Sequence, residues 1–567
     1  MGIFAGSIDL RSSRAEDCRV SGGEQASAGG VQLFIAADLQ QRDCGAEELL
    51  KAYLKLGTGA FNKLSGAFCF ALWEAEKQRL LLGSDHCGQK KLYYRQDKEG
   101  RVHFSESLAA LKNGPGFVPE IDFQSLADYF ALGYIAAPRT IYTQLRLLPP
   151  ASIVSFKAGE EPRKQIYWRA QFLPKLKISF AEAAEECRRL LTQSIQNCLA
   201  GQERATFLLS GGIDSSLILA LGKDQLAEPA LALSIAFSDP LYDESALAAQ
   251  TAAWLQVRHQ LRCFEPEDLR LLPGLLQAGG QPFADSSLLP SRLALLQAEQ
   301  QADLVLSGEG GDELFCGYRR LQFLLWRFCC AGLPAQALGF LSRLLLGWLP
   351  EAGEQRGRWA SFRRAASALS RPALPAYAGF QELFSAEMRQ ELLLGREHED
   401  YLLTWQEILE ANCSIEALER FDALELGVYL PQDCLQKLAL AKQGLSLQVR
   451  CPMLERELLE FALRLPRQYK ISFFERKRPL RAIAKKLLPP ELLRQNKRGF
   501  GLPMRSWLRT ELADEVRELH ESLPAWDKQG YLNQEYLRRL CQEHLQGQKD
   551  HGARLWSIHC LKTWLQE

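Results

Sequence analysis

Ser210-Gly211-Gly212-Ile213-Asp214-Ser215-Ser216 has the residue types of an anion cradle. Its glycines let backbone N–H groups approach a phosphate with no side chain in the way. The run Ala205 to Leu209 is apolar and short, which predicts a buried strand. Leu217, Leu219 and Leu221 predict a helix whose positive end faces the same anion. Ser210, Ser215 and Ser216 add hydroxyl donors, and Asp214 adds a carboxylate where Mg²⁺ would need one. No Gly-Lys-Ser/Thr follows the glycines, which excludes a Walker loop.

A second turn, Ser307-Gly308-Glu309-Gly310-Gly311-Asp312-Glu313, follows another short apolar run and carries three carboxylates. Ligands of open α/β sheets bind at the carboxyl ends of strands, so both turns should open on one edge. Asp214 and Asp312 would then share one Mg²⁺ on the phosphates of ATP. Glu309 would face a substrate or act as a base.

The elements that position these turns follow from hydrophobic pattern. Strands are expected at 205–209, 231–237, 258–263 and 302–306, with helices between them. That alternation predicts a parallel sheet covered on both faces. Before it, residues 1 to about 175 read as short, closely spaced strands, among them Val31–Ala36 and Gly66–Trp73, with helices at Glu47–Leu56 and Phe123–Leu132. A linker at 169–177 leads to a helix from Phe180 to Leu199, and beyond about 320 the signal is nearly all helical. The division expected is 1–175 and 176–567.

The chain has 567 residues, enough for more than one domain, with 68 basic and 68 acidic side chains. No global field draws in nucleic acid or an anionic membrane. The 15 cysteines show no recurring C-x-x-C, which suits reduced, buried thiols in a cytoplasmic protein. No secretory leader is evident at Met1-Gly2-Ile3-Phe4, and Gly2 reads as a strand start. The apolar stretch Leu321–Leu349 is broken by Arg327, Pro334 and Arg343, so it reads as two helices packed in a core or groove and not as a membrane span. Nothing in the sequence marks an oligomeric state.

The two turns resemble the S-G-G-[LI]-D-S-S and S-G-E-G-[SG]-D-E motifs of the asparagine synthetase family. Ser234, Ile235 and Phe237 resemble its adenine-contacting strand. Pro282–Ser287, Leu430–Asp433, Ser446–Pro452 and Arg494–Gly501 follow in family order, so the resemblance covers most of the chain. It implies an α+β glutaminase-like sandwich of the Ntn type, then an α/β parallel-sheet ATP-pyrophosphatase domain with a large helical C-terminal part. It implies ATP and Mg²⁺ as cofactors and a small-molecule or peptide carboxylate as substrate. The acid would attack the α-phosphate, and an amine would displace AMP. The pyrophosphate would lie against Ser210, Gly211, Gly212, Asp214, Ser215, Ser216, Ser307 and Gly308. Lys497 matches the family's catalytic lysine, and Asp433 and Glu309 join it as catalytic candidates.

Departures from the family are informative. Glutamine-dependent members begin Met-Cys-Gly-Ile and use that cysteine as nucleophile; here Met1-Gly2-Ile3 lacks it, and Cys18 and Cys44 are not N-terminal. The family's arginine and Asn-Gly stretches are not evident between Ala5 and Leu50. Ala439-Leu440-Ala441, Gln448 and Met453-Leu454-Glu455 replace family residues on the substrate side. Three readings follow: a glutamine-independent amide ligase for a specialised or peptide carboxylate, such as a lasso-peptide cyclase; an asparagine synthetase fed by free ammonia; or a non-catalytic degenerate synthetase. A protein delivering peptide or ammonia suits the first two.

Overall fold

The computed structural model describes residues 3–10, 18–39, 45–226, 228–329, 335–348, 358–494 and 501–566. The first region is two stacked antiparallel sheets. One runs Cys18–Ser21, Ala5–Asp9, Arg101–Ser105, Tyr93–Gln96, Arg146–Leu147. The other runs Arg163–Ile166, Ser152–Lys157, Arg79–Ser84, Gly66–Glu74, Val31–Leu39, Glu24–Ala28. Strand Gly66–Glu74 shows why both faces are covered. Cys69, Ala71 and Trp73 point into the core between the sheets, with Phe4, Ile8 and Phe104. Phe68, Phe70 and Leu72 point the other way, against Leu49, Leu50 and Tyr53 of helix Ala46–Leu56. This is period-two alternation with apolar residues in both phases. Gly2 and Cys44 lie outside the described residues.

Helix Phe180–Leu199 opens the second region, capped by Ser179 on Glu182 N–H. Its sheet is all parallel, ordered Arg258–Cys263, Leu231–Ala236, Ala205–Leu208, Leu304–Leu306, Gln448–Arg450. Strand Ala205–Leu208 pairs with Leu231–Ala236 on one side and Leu304–Leu306 on the other. Chain order reverses beside it, which makes its carboxyl end a switch point where ligands bind. The fold class is that expected from the sequence. Strand Gln448–Arg450 is an addition: at three residues it has no period to read, and it exists because it pairs with Leu304–Leu306. Helices Arg319–Cys329 and Ala335–Trp348 both form, but the second is not packed in a core: Phe340, Leu344 and Trp348 are exposed.

A π-helical segment, Glu425–Cys434, contains Pro431, whose missing N–H breaks the α-helical bonding ladder. It anchors two buried features. Glu425 takes a fork of hydrogen bonds from Arg320, whose guanidinium lies 3.9 Å from the Tyr318 ring and 4.4 Å from Tyr429. Lys91 of the first region donates to the Pro431 carbonyl. Burial pushes the Lys91 ammonium down to about 7. Further ties across the two regions are Ser65–Glu455 at 3.2 Å, Trp168–Glu460 at 3.0 Å and Asp38–Arg450 at 2.7 Å.

Removing one partner of a buried ion pair strands the other charge. Arg320→Met should therefore lower stability by about 3–5 kcal/mol. The double change with Glu425→Leu should recover most of that loss in the same denaturant melts.

Candidate active site

Both glycine turns leave adjacent strands at the switch point. Gly211 has φ +75°, and a Cβ there would stand 2.9 Å from the Glu244 carbonyl oxygen. Helix Ile213–Gly222 follows, with Gly212 at its N-cap and no capping side chain. Ser215 closes the loop upon itself: the Ser210 N–H donates to its Oγ at 3.2 Å, and that Oγ donates to the Gly212 carbonyl at 3.2 Å. From the second turn, Gly311 backs directly onto Asp214; a Cβ there would be 2.6 Å from the carboxyl carbon. Glycine is thus a steric requirement where the two turns touch.

Asp214 and Asp312 converge on one cation, the ammonium of Lys477. It bonds to Asp214 and lies 2.6 Å from Asp312, with all three side chains about nine-tenths buried. Lys477 has φ +53° at the N-cap of helix Arg478–Leu487. A cation at a helix N-terminus opposes the macrodipole, and a non-glycine residue in the left-handed region is strained. The two carboxylates compensate both costs. Gly317 leaves room for the lysine chain, since a Cβ there would sit 2.1 Å from Lys477 Cε.

These groups line a cavity of about 1210 Å³. One part of its lining is basic, with Arg476, Lys477 and Arg481; another is acidic, with Asp285, Glu309 and Asp433. Glu309 is paired with Lys437 at 2.8 Å. Burial, then the neighbouring Asp285, pushes the Asp433 carboxyl up to about 8. Burial, with Asp312 and Glu309 nearby, pushes Glu313 up to about 7. Burial and Arg319 lower Arg476 to about 10.

The sequence-predicted residues are placed as follows. Ser210, Gly211, Gly212, Asp214, Ser215, Ser234, Ile235, Ser307, Gly308, Glu309, Asp312 and Asp433 line the cavity. Ser234 spends its hydroxyl on the Leu209 carbonyl at 2.5 Å and accepts from His259 at 2.9 Å, so it braces the loop from below. Ser216 is fully buried off the cavity wall, because its place on the helix turns it inward. Phe237, one residue past the strand end, does not line the cavity: it packs in the core, 6.1 Å from Phe264. Lys497 lies outside the described residues.

The sequence reading missed Lys477, which sits in Arg476-Lys477-Arg478 and resembles an ordinary basic run. A signal was present. Pro479 marks the first turn of a helix, and a lysine just before it is on the wrong end of the dipole. Asp285 lies within the stretch Pro282–Ser287, which carried no assigned role, and Lys437 lies outside every stretch that the sequence singled out.

Because Asp433 holds its proton in the folded state and loses it when unfolded, it lowers stability progressively as pH rises from about 4 toward 8. Asp433→Asn should therefore lose less melting temperature between pH 5 and 8 than the wild type, by roughly 2 °C or more. Equal losses would show that the acid wall titrates elsewhere.

The asparagine synthase family matches residues 186–566, and the glutamine amidotransferase domain family matches residues 37–168. The chain is 25% identical over 535 residues to asparagine synthetase (glutamine-hydrolyzing) 1 of Bacillus subtilis, covering 92% of this chain and 80% of that one. It is 28% identical over 534 residues to a putative asparagine synthetase (glutamine-hydrolyzing) of Mycobacterium tuberculosis, covering 92% and 79%. Among solved structures, glutamine-dependent NAD+ synthetase from Acinetobacter baumannii aligns over 35% of this chain and 44% of its own, with 21% identity and a TM-score of 0.20. With the family match spanning well over half of its length, the chain belongs to the asparagine synthase family.

Proposed function

We propose that the chain is an ATP-dependent amide ligase that activates a carboxylate as its adenylate, releases pyrophosphate and passes the acyl group to an amine without hydrolysing glutamine. The observation that carries this reading is the pair of apposed glycine turns, closed by Lys477 and opening on a cavity with separate basic and acidic walls. A carboxylate oxygen attacks the α-phosphorus, and the bond to the β-phosphate oxygen breaks. Pyrophosphate leaves against the glycine turn after Ser210 and the start of helix Ile213–Gly222. Lys477, with Arg476 and Arg481, is placed to meet the growing phosphate charge. The amine attacks the acyl carbon, AMP departs, and the amine's surplus proton goes to the acidic wall.

Among the described residues, no group of three or more His, Cys, Asp or Glu side chains is arranged to hold a metal. Asp214 and Asp312 supply two hard oxygen ligands around one cation position. They would hold Mg²⁺, but the Lys477 ammonium already stands between them, so the metal would bind there only in place of that ammonium. Bound there, Mg²⁺ would neutralise charge on the leaving pyrophosphate.

Glutamine independence rests on the end of the sandwich beside Phe4. Lys90 pairs with Glu106 at 2.9 Å, and Glu106 accepts from Phe4 N–H at 3.4 Å. Asp38, at the end of strand Val31–Leu39, is taken up by Arg450. Cys69 lies nearby, but burial and Glu106 push its thiol well up, which leaves it inert as a nucleophile. The acceptor is a specialised or peptide-borne carboxylate. The cavity exceeds the roughly 300–1,000 Å³ typical of a site for one small ligand, as a nucleotide with a second substrate beside it requires. A second reading is asparagine formation from ammonia: the relatives are asparagine synthetases, which favours asparagine as product, although both are glutamine-hydrolyzing. The free cysteines fit a cytoplasmic setting.

Pyrophosphate exchange into ATP, with Mg²⁺, tests the reading. Exchange is expected with acidic peptides or larger acids, and Asp214→Ala and Lys477→Met should each lower it by roughly 10²-fold or more. Exchange with free aspartate alone would establish the second reading. Silence with every acid would sink the ligase assignment, and glutamate released from glutamine would sink glutamine independence.

A further inference from the structure

Helix Arg319–Cys329 turns one face to the cavity. Arg319, Gln322, Phe323 and Trp326 line it, at i, i+3, i+4 and i+7. Arg319 lies near Arg476 and belongs with the basic wall. Past it the lining becomes aromatic. Phe323 packs on Phe380 at 5.2 Å, and Tyr318 meets Tyr429 edge-on at 5.4 Å. With Trp326, these five rings all line the same cavity. The aromatic part adjoins the acidic wall, because Tyr429 stands four residues before Asp433 in segment Glu425–Cys434. Phe323 is 5% exposed and Trp326 is 43%, so the compartment runs from the interior to the rim.

Its polar groups are already spent. The Tyr318 hydroxyl donates to Glu313, and Tyr429 is hydrogen-bonded to the Asp433 carboxyl. The Arg320 guanidinium, between the Tyr318 and Tyr429 rings, is forked onto Glu425. The Gln322 amide donates to the Phe473 carbonyl at 3.0 Å, and the Trp326 indole donates to the same carbonyl at 3.2 Å. What remains for a ligand is ring surface. A free amino acid brings two charged groups and little apolar surface. The compartment answers neither charge, since Arg320 and Glu425 cancel each other. An aryl group answers both conditions: it stacks on rings and asks for no hydrogen bond.

We infer that the acid substrate carries an aromatic ring, or an apolar group of that size, held among Phe323, Trp326, Phe380 and Tyr429 while its carboxylate reaches toward the glycine turns. The inference rests on the ligase reading and names the class of acid that the ligase takes.

The test is calorimetric binding to the full-length protein with Mg²⁺ and α,β-methylene-ATP present, so that affinity is read without turnover. Three matched pairs are compared: phenylbutyrate with butyrate, N-benzoyl- with N-acetyl-aspartate, and the dipeptide Phe-Asp with Ala-Asp. In at least one pair the ring-bearing acid should bind roughly tenfold or more tightly. Trp326→Ala, which removes a ring at the rim, and Ala365→Leu, which fills space at a small residue of the cavity lining, should each abolish that preference. Both variants should keep the melting temperature and the affinity for the ATP analogue. Equal affinity within every pair would overturn the inference, as would a preference that survives both variants. Weakened binding of the ATP analogue by the variants would also overturn it, by assigning the rings to adenine. Pyrophosphate exchange with the same acids separates the two readings. Ring-dependent binding without exchange would sink the ligase reading and uphold the ring compartment. Exchange with no preference for a ring would do the reverse.

Discussion

The contact on which this structure turns is a lysine held between two aspartates. Asp214 and Asp312 stand in the first turns of the helices that follow two adjacent parallel strands, and burying both without a cation would cost several kcal/mol. Lys477 supplies the cation from the helical C-terminal part. Its backbone N–H donates to the Phe315 carbonyl at 3.2 Å, and Arg476 donates to the Gly317 carbonyl at 2.6 Å. The helical part is therefore pinned to the mouth of the sheet at the point where charge demands it. The absence of side chains at Gly311 and Gly317 is what lets the three charged groups come together.

A second constraint links that site to the sandwich. The π-helical segment carries Glu425, Tyr429, Asp433 and Cys434 within one stretch. Glu425 faces Arg320, and Asp433 faces the cavity. Pro431 frees backbone groups that an ordinary helix would bond internally, and Lys91 of the sandwich takes one of its carbonyls. The sandwich thus holds a wall of the cavity in place.

How much of this was legible in the sequence depended on how local the cause was. Strand Arg258–Cys263 and helix Phe180–Leu199 could be bounded from the sequence because pattern and caps lie within the segment. The glycine turns were legible because Gly211 and Gly311 are required by backbone geometry at their own positions. Strand Gln448–Arg450 was not, since its existence depends on a partner far upstream. Nor was Lys477, whose role is created by two distant carboxylates; the wrong-end lysine before Pro479 was the only local trace. Phe237, named with Ser234 and Ile235 on the resemblance, lies one residue past the strand end and packs in the core against Phe264, a placement that no local pattern carries.

The arrangement of charge explains how a neutral chain can host this chemistry. With equal numbers of acids and bases, it builds field by separation across one cavity. The basic wall is suited to phosphates. On the acidic wall, Glu309 and Lys437 form a pair that is neutral overall, and Asp433 keeps its proton near neutral pH because burial and Asp285 oppose a second charge. Lys437 thus offsets one carboxylate and the Asp433 proton removes a second charge from a wall that three carboxyl groups would otherwise make strongly repulsive to any acid. A wall relieved in this way can hold an ammonium without excluding a carboxylate beside it. An amide ligase needs both groups within bonding distance, so the raised Asp433 carboxyl is the feature that reconciles an acidic wall with an acidic substrate.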